Sequence, residues 1–231
     1  MDDFGGLYTE FALPAKPFLR LGKNLKTYIV TQTAEGSRTT IVLIDAESPS
    51  NVKRVTSAKN DSVEDALWSW NFLGTDGHAQ FLCARSSPIR PNELLLGTVD
   101  DHLTVIWKVL DAPVLPSAVE QALKSLQASI IQVPDRHPVE TILVKESKGI
   151  SAELKPLATF IHGGPHSTSF TAFTPSVAAL ALQGYNVSLP NYTGSLGFGE
   201  YYVQKLLGKC GSLDVEDMGG KCCPSEYYGG F

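Results

Sequence analysis

The stretch 158–199 constrains this chain more than any other. It reads ATFIHGGPHSTSF, then a helix-like run, then YNVSLPNYTGSLGFG. Residues 158–161 form a short apolar run that stops at His162-Gly163-Gly164-Pro165. A run of that length bounded by turn residues fits a strand buried in a sheet. The paired glycines let a ligand or a reacting atom approach the main chain closely, and Pro165 stiffens the turn. A strand running into such a turn is a geometry that aims backbone N–H groups at a developing oxyanion. Residues 174–182 predict a helix, with Pro175 in its first turn, an alanine-rich body and Gly184 as the stop. Residues 186–189 predict a second strand, so the whole is a strand–helix–strand unit of the βαβ kind.

HGGP, a helix and NYTGSLGFG together resemble the opening of the hydrolase domain in the prolyl oligopeptidase family of serine peptidases. His166 and the chain before it make the resemblance strongest to the acylaminoacyl-peptidase branch. The segment GKCGSLDVED at 208–217 resembles the family's G-x-x-G-x-x-D-V-x-D block. The resemblance implies a backbone N–H of Gly164 as an oxyanion donor. It implies that His162, Gly163, Pro165, Asn191, Tyr192 and Gly194 shape the loops beside the cleft. It further implies an N-acylated peptide as substrate of the complete enzyme, no cofactor, and a homo-oligomer as a possible assembly.

The departures from the family pattern carry expectations of their own. Thr193 stands where the family usually has arginine, which removes a planar multidentate donor and puts the order of that loop in question. After Asp217 the chain reads MGGKCCPSEYYGGF, without the G-x-S-x-G that would bear the nucleophile or the later aspartate and histidine. The expectation is a fragment, a truncated gene model or a splice product that stops before the catalytic serine and is inactive alone, with the origin of the tail 218–231 left open. An alternative is an interaction or regulatory fragment that docks on full-length subunits. A third reading, an unrelated hydrolase using Ser195 or a cysteine, is disfavoured because Thr193-Gly194-Ser195-Leu196-Gly197 lacks the first glycine of the nucleophile motif. His162 and His166 read as loop-organising hydrogen bonders rather than bases. His78, His102 and His137 sit beside turn residues and read as solvent-facing. Asp214 and Asp217 read as residues that cap and open a helix.

Upstream, residues 1–110 read as all-β. Strands are expected at 27–32, 38–45, 66–73, 80–84, 93–98 and 103–109, separated by Gly, Asn and Asp turn signals. Such spacing suggests a sandwich, barrel or propeller. The segment around Trp68-Ser69-Trp70-Asn71-Phe72 resembles late propeller blades of plant-like members of the same branch. The fold class expected is a β-propeller fragment of one to two blades (1–110), with exposed apolar edges, followed by a junction and the N-terminal part of an α/β-hydrolase domain (111–231). In the junction, 117–126 predicts a short helix with a Ser117/Glu120 capping box. Residues 130–133 and 141–145 predict the first strands of the hydrolase sheet.

Composition bounds the partners. Lys+Arg 19 against Asp+Glu 24 gives a net charge of −5, too mild for a dedicated nucleic-acid or membrane-surface protein. No run approaches the ~20 apolar residues of a membrane span. The first residues show no signal peptide, so a cytoplasmic location is the expectation. Cys83, Cys210, Cys222 and Cys223 form neither a disulfide framework nor a zinc pattern and read as free thiols. No metal-ligand cluster, Walker loop or dinucleotide fingerprint is present.

Overall fold

The fold is that of a computed structural model, which describes residues 16–22, 24–56, 67–133, 136–147 and 155–218. Alternation of buried and exposed residues builds its first half. In strand β1 (Phe18–Leu21), Leu19 and Leu21 are buried while Phe18 and Arg20 are exposed. It pairs with β2 (Lys26–Glu35), which turns tightly into β3 (Arg38–Asp45), followed by the short β4 (Val52–Arg54). These four make an antiparallel meander in the order β1-β2-β3-β4. A second meander has the same plan: β5 (Ser69–Thr75), β6 (Gln80–Ser87), β7 (Arg90–Val99) and β8 (Val105–Asp111).

The two sheets share one core. Leu19, Val30, Ile41 and Leu43 from the first meet Trp68, Trp70, Phe72, Phe81, Cys83 and Leu95 from the second segment and sheet. Each such aliphatic or aromatic side chain contributes about 1.5–3 kcal/mol on burial. Trp107 joins Trp70 at 4.6 Å and meets Phe81 edge-on at 5.4 Å. The Arg85 guanidinium lies 4.3 Å over the Trp68 ring and pairs with Glu93 at 2.9 Å. The outer face of the second sheet leaves Leu73, Leu82 and Ile106 exposed.

Several expectations need adjustment. The strand expected at 66–73 runs instead from Ser69 to Thr75, and its first expected residue lies outside the described residues. Strands β1 and β4 carried too few residues to register as alternation. The expected capping box is not formed: Pro116 is the N-cap of helix α1 (Ser117–Lys124) and Ser117 its first helical residue, and the helix ends two residues before the expected Leu126. Glu120 instead pairs with Lys124 one turn on, at 2.5 Å. Leu126 opens the next strand rather than closing that helix.

The second half is a mixed sheet. Strands β9 (Leu126–Gln132) and β10 (Glu140–Glu146) form an antiparallel pair. The strand–helix–strand unit follows: β11 (Leu157–Thr159), α2 (Pro175–Leu182) and β12 (Asn186–Asn191). Its two strands are parallel, as the βαβ reading expects, and β12 inserts between β10 and β11 to give the order β11-β12-β10-β9. Val177, Ala178 and Ala181 of α2 pack on Ile142, Val144 and Val187. Two further short helices, α3 (Glu200–Gln204) and α4 (Leu213–Met218), close the described chain.

Two hairpin tips of the β half enter the α/β half. Ile89, in the β6–β7 turn, packs against the α2 core. The Gly36-Ser37 turn between β2 and β3 is held by polar contacts. The Gly36 N–H donates to the Gly197 carbonyl at 2.8 Å, and the Thr171 N–H donates to the Ser37 carbonyl at 2.9 Å. This approach requires glycine at 197, where φ is +91° and an added Cβ would lie 2.8 Å from the Gly36 carbonyl oxygen. Replacing Gly197 by alanine is expected to cost about 2 kcal/mol, from the left-handed backbone and the overlap together. Urea unfolding followed by tryptophan fluorescence measures it; a loss below about 0.5 kcal/mol, the range of a neutral surface change, would show that the two turns are not in contact.

Candidate active-site loops

Because β11 and β12 run parallel, their carboxyl ends lie at the same end of the sheet. The crevice there is where open α/β sheets place ligands. The turn His162–Pro165 follows β11 and the loop Tyr192–Gly199 follows β12, so the topology brings the two sequence motifs together.

His162 is the contact between them. Its ring stacks on Tyr192 at 4.5 Å and 16°, and the Tyr192 hydroxyl donates to the His162 carbonyl at 2.8 Å. His162 Nε2 lies 2.9 Å from Ser195 Oγ. That spacing resembles a base and its nucleophile, but the protons run the other way. Ser195 Oγ already donates its only proton to the Tyr192 carbonyl at 2.7 Å. His162 Nε2 is therefore the donor to Ser195, and no lone pair of the ring faces the serine proton. Ser195 is also fully buried. The pair ties the two loops together.

The remaining residues tighten the same region. His166 Nδ1 lies 3.0 Å from the Gly194 carbonyl, to which it donates. Asn191 clamps Ser169 twice, accepting from its N–H at 2.8 Å and donating to its carbonyl at 2.9 Å. Gly194 is pressed against Leu206, whose side chain would lie 2.4 Å from an added Cβ. Gly163 and Gly164 are exposed, and Gly164 has φ +62° with open space around it. None of the hydrogen bonds among the described residues uses the N–H of either glycine. Pro165 is half-buried behind them, and His78, His102 and His137 are exposed.

Asp217 corrects a sequence expectation. It does not open a helix; it is fully buried near the end of α4. Its Oδ2 accepts the Thr193 N–H at 2.9 Å, and its Oδ1 accepts from Arg136 Nε at 2.7 Å and from Arg136 Nη2. A buried carboxylate is tolerable only when paired and hydrogen-bonded in this way. Arg136 comes from the β9–β10 connection and fastens the loop that carries Thr193, so that loop is ordered without an arginine of its own. Asp214 behaves as a local cap, accepting the Gly211 N–H at 2.7 Å. Sequence reasoning missed Arg136, Glu140 and Ser37, since none sits in a motif. Among the described residues there is no cluster of three or more metal-binding side chains, and no helix is long and apolar enough to cross a membrane. Cys83 is buried, which pushes its thiol well above the ordinary range, and Cys210 is exposed. Cys222, Cys223 and the tail from 219, which also carried sequence expectations, lie outside the described residues.

A mixed sheet with a strand–helix–strand unit, a diglycine turn at the carboxyl end of its outer parallel strand and two antiparallel sheets docked against it define the chain by class as hydrolase-like. No protein-family model matches the chain. It is 34% identical over 229 residues to acylamino-acid-releasing enzyme 2 of Oryza sativa subsp. japonica, a match covering 93% of this chain and 28% of that protein. It is 36% identical over 173 residues to the acylamino-acid-releasing enzyme of Arabidopsis thaliana, covering 68% of this chain and 22% of that one. The Pyrococcus horikoshii acylaminoacyl peptidase superposes with a TM-score of 0.64 at 18% identity, over 87% of this chain and 29% of the other. The chain belongs to the acylaminoacyl-peptidase branch of the prolyl oligopeptidase family. It spans about a quarter of the length of these curated relatives.

Burial holds the His162 imidazole below its ordinary value near 6.5, with a weaker opposing pull from the Gly163 carbonyl. The unfolded chain then takes up this proton first as pH falls. The stability linked to His162 is complete above about pH 6.5 and is lost as pH drops through the lower folded value. An NMR titration is expected to place His162 below its ordinary value, with the urea midpoint falling in the same window. A midpoint at or above the ordinary value would contradict the half-buried stacking of His162 on Tyr192.

Proposed function

We propose that the paired loops are the oxyanion-binding side of an acylaminoacyl-peptidase active site. The backbone N–H of Gly164 is the donor, and an N-acylated peptide is the substrate of the complete enzyme. The observation that carries this reading is the turn at Gly163-Gly164, exposed at the carboxyl end of β11 with N–H groups that no acceptor among the described residues takes up. One such donor stabilises an acyl-transfer transition state by about 3 kcal/mol in a working site. The names of the rice and Arabidopsis relatives support the substrate class.

In this reading the two meanders are blade-like units of a propeller that precedes the hydrolase sheet; their four-stranded order supports it. The described residues contribute the oxyanion side and no activated serine, since Ser195 is buried and its proton is committed. In this reading the described residues do not suffice for catalysis on their own. A fluorophosphonate probe, which captures only activated serines, tests this directly. The purified chain is expected to show no labelling above a heat-denatured control, while the complete rice relative labels strongly. Labelling of this chain at Ser195 would overturn the assignment of roles.

A further inference from the structure

A second buried polar cluster lies outside the paired loops, where the β2–β3 turn meets the mixed sheet. Glu140, at the start of β10, is 7% exposed. Its Oε1 accepts both the N–H and the hydroxyl of Ser37, at 2.9 and 2.6 Å, and its Oε2 accepts from Gln132 at 2.5 Å. Ser37 Oγ in turn accepts from Asn191 Nδ2 at 2.7 Å. Asn191 is the last residue of β12, and the next residue is Tyr192, whose ring and hydroxyl hold His162. A continuous line of contacts thus runs from the β half through Ser37, Asn191 and Tyr192 to the diglycine turn. Every polar atom along it is buried or half-buried, so water does not replace a lost partner cheaply.

We propose that Ser37 is a positioning residue for the turn at His162–Gly164, acting across the joint between the two halves through Asn191 and Tyr192. The functional meaning rests on the oxyanion reading, but the coupling itself does not. When Ser37 loses its hydroxyl, Asn191 loses one of its three anchors and Glu140 keeps a buried oxygen short of a donor. The end of β12 relaxes, and the Tyr192 ring turns away from His162.

The test uses the full chain labelled with ¹³C-histidine, whose five histidines give separable ring signals; loss of one signal in His162→Gln identifies His162. The stacked Tyr192 ring shields His162 in the wild type. In Ser37→Ala, the His162 signal is expected to move downfield while those of His78 and His102 stay in place. Glu140→Gln, which loosens Ser37 from its other side, is expected to move His162 the same way and stands in if Ser37→Ala does not fold. Thr75→Ala, which cuts the bond from Thr75 to the Phe18 carbonyl at the far end of β5, is the stability control and is expected to leave His162 unmoved. A folded Ser37→Ala or Glu140→Gln with His162 at its wild-type position overturns the proposal, as does an equal shift in Thr75→Ala. The readout involves no serine chemistry, so labelling at Ser195 would remove the oxyanion reading and leave the coupling to stand or fall on the NMR result.

Discussion

The buried carboxylate of Glu140 is the constraint around which the two halves are arranged. An ionised group in that position is costly unless donors surround it, and two of its three donors come from Ser37, 103 residues away in sequence. Both donors on Oε1 come from the β2–β3 turn, and that same turn covers the carboxylate, so docking the turn buries the charge and pairs it in one step. The apolar plug at Ile89 adds affinity without direction; the polar plug at Ser37 adds direction. Ser69 and Ser86 extend the same seam, pairing with Thr171 at 2.8 Å and with the Phe173 N–H at 3.0 Å.

That seam matters because the segment 169–173 and the end of β12 flank the diglycine turn. The loops have little regular structure of their own. They are held by side chains reaching in from elsewhere: Arg136 through Asp217 to Thr193, Ser37 through Asn191, Leu206 against Gly194. Within this frame the His162–Ser195 pair acquires its meaning from proton direction rather than distance. A serine that gives its proton to a carbonyl is a strut, and the histidine that donates to it is the second strut.

Much of this was legible in the sequence for a local reason. The strand, diglycine turn, helix and second strand are contiguous, and each carries its own signal: an apolar run, Gly-Gly-Pro, Pro175 at a helix start, Gly184 at its end. The apolar run misled on extent and burial, since β11 is Leu157–Thr159, half-buried to exposed, and Phe160 and Ile161 lie beyond it and are exposed. The long antiparallel strands were legible through alternation. Strands β1 and β4 were not, having four and three residues. The Ser117/Glu120 box failed because Pro116 already supplies the extended conformation of an N-cap, with φ −54° and ψ 140°. Asp217 looked like a helix opener since its partner Arg136 lies 81 residues away in an unremarkable connection. The Glu140–Ser37–Asn191 line was invisible for the same reason: Ser37 stands among ordinary turn residues, and only the packing of two sheets brings a carboxylate to it.

The central claim is that this joint makes the two halves one structural unit. All three tryptophans lie in the β half, so their fluorescence in urea reports its unfolding free energy. Native-state hydrogen exchange at the amides of β10 and β12 reports that of the other half. The account predicts that the slowest of those amides exchange only through the same global opening, with the same free energy. If they exchange through a distinctly cheaper opening while the tryptophans remain buried, the halves are independent and the joint does not hold them together.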